Sequence, residues 1–77
     1  MTIHEHDTVV LTRDLAEHQL RAGDVGAVVH VYQDGKAYEI EFVNGSGETL
    51  AVETLEPSDI RPLGAGDILH IRNVTAA

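Results

Sequence analysis

Between residues 25 and 53 apolar and polar side chains alternate almost without interruption, and each break holds Gly, Asn or Asp. Alternation of period two marks strands buried on one face, whereas a helix needs apolar residues three and four apart. The chain is therefore expected to be all-β. Asp34-Gly35 favours a tight hairpin turn, and Gly45-Ser46-Gly47 suits a three-residue loop whose last Gly takes a positive φ. With these turns His30 faces Glu39, Val29 faces Ile40, Phe42 faces Leu50 and Ile40 faces Val52. Val29, Val31, Tyr38, Ile40, Phe42, Leu50 and Val52 then share one apolar face, joined in the expected core by Val9 and Leu11.

The predicted strands span residues 7–11, 25–32, 37–43, 48–53, 60–63 and 68–74. A polar loop with inward Leu15 and Leu20 follows the first, and one helical turn at Pro57 precedes the fifth. A strand, a long loop, a three-stranded meander, a helical turn and a closing strand is the order of a small SH3-like barrel of about five strands. Residues 1–77 are expected to form a single domain, flexible over 1–6, with 64–77 as a C-terminal extension that adds an extra strand. That strand could cover the parent barrel or pair with another copy, and a homodimer is the expectation.

Seventy-seven residues permit only a small core, and one Phe, two Tyr and no Trp leave aliphatic side chains to fill it. Thirteen acids against five basic residues give a formal charge of −8, which disfavours a phosphate backbone, so no nucleic-acid partner is expected. A cationic protein surface suits this balance better. The chain lacks cysteine and any run of eighteen apolar residues, which predicts a cytoplasmic domain with no membrane partner.

Chemical groups are few. His4 and His6 flank Glu5 and, in extended chain, would present two imidazoles to one side as the start of a metal site. A closed structural site wants four ligands, and spacing supplies no third. Glu39 and Glu41 point to an outer sheet face rather than a desolvating cleft, and no Ser or Thr lies in a nucleophile motif. No catalytic residue and no cofactor is expected. In Gly23-Asp24-Val25-Gly26 a phosphate cradle would bring backbone N–H groups to an anion, but Asp24 repels one, so turn formation is the better reading. His30, Glu39 and Glu53 are predicted to form a row across three strands, where a protonated imidazole would offset two carboxylates.

Four linked motifs stand out: Val-Val-Leu-Thr-x-Asp-Leu from Val9, Leu-x-Ala-Gly-Asp-Val-Gly from Leu20, Gly-Lys-Ala-Tyr-Glu-Ile-Glu-Phe from Gly35, and Ile-Arg-Pro from Ile60. As a set they resemble a bacterial family catalogued as domain of unknown function 4926. Asp67, His70 and Arg72 are similar to an acid, His and Arg near the family's C-terminal end. The resemblance implies a small barrel and no particular chemistry. Two readings follow from the residues. One is a non-catalytic accessory or antitoxin-like module binding a partner protein through His30, Glu39, Glu41, Glu53, His70 and Arg72. The other is a metal-binding or metal-sensing domain built on His4 and His6, with His70 or His18 as a further ligand.

Overall fold

A computed structural model describes residues 2–74. Five antiparallel strands, β1 (Thr8–Leu11), β2 (Val25–Tyr32), β3 (Ala37–Val43), β4 (Thr49–Leu55) and β5 (Ile60–Pro62), form one sheet in the order β4-β3-β2-β1-β5. The only other regular elements among the described residues are 3-10 turns at Ala16–His18 and Pro57–Asp59. This is the all-β strand order expected of a small SH3-like barrel, but β4 and β5 end the sheet without pairing to each other. No described helix is long and apolar enough to cross a membrane.

Both meander turns set the expected register next to themselves. Tyr32 pairs with Ala37, Val31 with Tyr38 and His30 with Glu39, although Gln33, Asp34 and Gly35 all take positive φ in a four-residue turn. Val43 likewise pairs with Thr49 beyond the Asn44–Gly47 turn. Each ladder then shifts by one residue. Val28 pairs with Ile40, leaving Val29 out of register, and Phe42 pairs with Ala51, leaving Leu50 out.

A one-residue shift turns every later side chain to the other face. Val29, Leu50 and Val52 are consequently exposed rather than core residues, while Val28 and Leu55 are buried in their place. The core comprises Val9, Leu11, Val28, Tyr38, Ile40, Phe42, Leu55 and Ile60, closed by Leu15 and Leu20 from the long loop and by Ile3. Val31 packs against it, partly buried. Gly26 faces inward on β2, where a Cβ would stand 2.6 Å from Ile40 Cγ2 and 3.0 Å from the Glu41 carbonyl oxygen. Only a missing side chain lets β2 and β3 approach so closely.

The expected C-terminal strand does not form: residues 68–74 are irregular, and Ile68, Leu69 and Ile71 are exposed. Alternation supplies a face to bury, but a strand also needs a neighbouring ladder, and this segment pairs with none of the five strands. The last three residues of the expected extension lie outside the described residues, as does Met1.

Candidate interaction face

Side chains at 39, 41 and 43 of β3 point away from the core, opposite those at 38, 40 and 42. Across the ladders Glu39 lies between His30 and Thr54, and Glu41 between Ala27 and Val52. The outer face of the meander thus joins two half-buried carboxylates to exposed Val43 and Val52.

Three acids of the meander, Glu39, Glu41 and Glu48, are held by neutral donors. The Tyr32 hydroxyl donates to Glu39 Oε1 at 2.7 Å, the Thr49 hydroxyl to Glu41 Oε2 at 2.6 Å, and the Asn44 amide to Glu48 Oε1 at 2.9 Å. These bonds orient the carboxylates without neutralising them. The same hydrogen bond to Glu39, with burial and the Glu39 charge behind it, pushes the Tyr32 phenol above its ordinary pKa. His30 stacks edge-on to Tyr32 at 4.4 Å between ring centroids and has Glu5 Oε2 3.8 Å from its Nδ1.

The cations lie elsewhere. Arg13 pairs with Asp59, Arg61 with Asp67 and Arg72 with Asp24. Three of the five basic side chains are therefore already engaged within the chain. Among the described residues no Lys or Arg pairs with Glu39, Glu41 or Glu48.

The expected row of His30, Glu39 and Glu53 is broken by the shift in β4. Glu53 pairs with Ile40 on the inner side of the sheet, and its Oε2 lies 2.9 Å from Nε2 of His18 in the long loop. His30, Glu39 and Glu41 are brought together, and Glu53, His70 and Arg72 are not. Arg72 is instead a clasp. Its guanidinium grips both oxygens of Asp24 and donates to the Gln19 carbonyl oxygen at 2.7 Å.

Asp24 also accepts the Arg21 backbone N–H at 2.8 Å, closing the turn in which Gly23 takes φ +94°. Partial burial would push the Asp24 carboxyl up, but the Arg72 hydrogen bond, the Arg21 N–H and the nearby positive charges outweigh it and hold the group below its usual value. This ion pair, separated by 48 residues, carries no signal in sequence spacing. The turn reading of Gly23-Asp24-Val25-Gly26 is the one the geometry supports, since Asp24 fills the place an anion would need.

An open groove of about 570 Å³ runs between the C-terminal segment and the β3–β4 turn, with Leu20, Val25, Phe42, Leu50 and Ile71 on its walls. At the other end of the chain, His4 and His6 do not converge. The His4 Nδ1 lies 3.9 Å from Asp7, and the His6 backbone at φ 74° donates to the Val28 carbonyl oxygen. Among the described residues no three His, Asp or Glu side chains stand close enough together to hold a metal ion.

Neither the curated proteins nor the solved structures contain a match to this chain. A family model described as Domain of unknown function (DUF4926) matches residues 5–62, which cover all five strands and both 3-10 turns. With that match across the folded body, the chain belongs to the DUF4926 family.

Proposed function

We propose that this chain is a non-catalytic interaction module that presents the outer face of its meander to a cationic surface on a partner protein in the reducing cytoplasm. The observation that carries this reading is the set of Glu39, Glu41 and Glu48, each oriented by a neutral donor, beside exposed Val43 and Val52. Fixed, uncompensated charges around apolar side chains favour a complementary protein surface, with the charges steering encounter and the valines supplying burial. An absence of cysteine suits the compartment.

Affinity capture from the native host tests the reading, with the natural chain compared against the double variant Glu39→Gln, Glu41→Gln. Glutamine keeps an acceptor for Tyr32 and Thr49 but removes the charge, so the melting temperature should be retained. A basic partner recovered by the natural chain should fall by about tenfold with the variant and fall likewise at raised salt. Equal recovery by both forms at both salt concentrations would overturn the proposal.

A further inference from the structure

We infer that the C-terminal segment 68–74 is the strand that completes this sheet in a second copy of the chain, adding to the free edge of β4. This goes beyond the outer-face reading and does not depend on it, because it concerns a sheet edge and the segment that fits it.

Two observations meet here. The first is the edge. β4 ends the sheet with β3 as its only neighbour among the described residues, leaving one side of a seven-residue strand without a ladder. Such an edge is a template for another chain unless something covers it. The second is the segment. Residues 68–74 make no backbone–backbone hydrogen bond with another described residue, and Ile68, Leu69 and Ile71 are 83%, 65% and 97% exposed. A segment so apolar and so unpaired is costly to leave in water.

Length and charge match the two. Both stretches are seven residues long. In a chain of net charge −8, residues 68–74 contain no acid and carry Arg72 and His70, whereas β4 holds Glu53 and is flanked by Glu48 and Glu56. Paired end to end and antiparallel, Ile71 comes opposite Val52, His70 opposite Glu53 and Ile68 opposite Leu55. Ile71 thus meets Val52 on the outer row and Ile68 meets Leu55 on the inner row, where the basic side chains also reach the one carboxylate set inward on the edge strand. Reciprocal exchange closes a two-fold dimer, since each copy offers its β4 edge to the segment of the other.

The Arg72 clasp on Asp24 and the Gln19 carbonyl is the competing position of the same segment. Clasped monomer and exchanged dimer are then two states of one equilibrium, and a change that loosens the clasp shifts it towards the dimer.

Sedimentation of the full chain over a range of concentrations, with three variants, tests the exchange. The natural chain should show a monomer–dimer equilibrium. Asp24→Asn, which keeps an acceptor for the Arg21 N–H but weakens the hold on Arg72, should tighten the dimer. Ile71→Ser and Val52→Glu should each loosen it by about tenfold or more. Thermal melts report whether each variant is folded, and Ile71→Ser, fully exposed in the clasped monomer, serves if Val52→Glu is not. In the dimer the amide hydrogens of residues 49–55 should gain protection from exchange.

Three results would overturn the inference: a chain that stays monomeric at millimolar concentration even as Asp24→Asn, a dimer indifferent to Ile71→Ser, or a dimer that Asp24→Asn weakens. A dimer dependent on Ile71 whose β4 amides exchange freely would overturn it too, by placing the segment elsewhere. Failure of the partner capture above leaves these outcomes untouched, because Glu39 and Glu41 take no part in the exchange.

Discussion

The two hairpins of the meander share β3 and share a history: each follows its turn faithfully and then slips by one residue. In the β2–β3 hairpin three pairs form before Val29 drops out, so most of the expected outer row survives, with His30 still opposite Glu39. In the β3–β4 hairpin one pair forms before Leu50 drops out, and nearly every later side chain of β4 changes face. A turn dictates register only as far as the first bulge. The same one-residue event is nearly silent in one hairpin and rewrites the surface of the other, because of where along the ladder it falls.

Substitutions on the two faces of β4 would break this comparison most sharply. Leu55→Ala removes a buried core side chain and should cost about 2 to 5 kcal/mol, whereas Leu50→Ala and Val52→Ala should each cost less than about 1 kcal/mol. Chemical denaturation of the three variants decides it. The unshifted ladder requires the opposite order, with Leu50 and Val52 the expensive positions.

Equivalent changes in β2 carry a smaller effect. Val28→Ala should destabilise by about 1 to 3 kcal/mol and Val29→Ala by a fraction of that, because only the first side chain is fully buried. Gly26→Ala should cost a comparable 1 to 3 kcal/mol, roughly that of overpacking, since its Cβ meets both the Ile40 side chain and the backbone of β3. A melting temperature unchanged by Gly26→Ala would mean that Gly26 faces outward and that the β2 bulge is misplaced.

What could be read in advance follows from the same residues. Asp34-Gly35 and Asn44-Gly45-Ser46-Gly47 announce their turns because few residues accept positive φ, and strand order follows from the turns. The bulges leave no such mark. Val28-Val29 offers two valines of which either can go inside, and alternation alone cannot choose between them. Leu55 held the one clue in β4, since burying it forces Glu53 and Ala51 to the inner row. At the candidate site the pairing of His30 with Glu39 was legible from one turn, while the Arg72 clasp on Asp24 was not, because contacts between a loop and a distant segment obey no period. The segment 68–74 shows the reverse failure, a strand pattern whose partner is absent from the described fold.

Acid should expose the smallest difference, at the outer ends of the two hairpins. Asp24 lies just before β2 and Asp59 just after β4, each bonded to an Arg from elsewhere in the chain and to a backbone N–H three residues earlier. For Asp59 the Arg13 hydrogen bond lowers the pKa, partial burial opposes it, and the Glu56 N–H and the Arg13 charge add to the lowering. Asp24 is lowered as well, there against a larger opposition from burial. A carboxyl whose folded pKa lies below its unfolded value stabilises the fold at pH above the unfolded value, about 3.9, and loses that contribution as pH falls through the folded one. Stability should therefore be flat with respect to these two groups near neutrality and decline below about pH 4. Asp24→Asn and Asp59→Asn should each lower stability at pH 7 and shrink that decline, while converging on the natural chain at low pH. Melting curves between pH 2 and 7 measure both hairpin ends. Equal pH profiles for the natural chain and Asp59→Asn would show that the Arg13 pair contributes nothing to holding the end of β4.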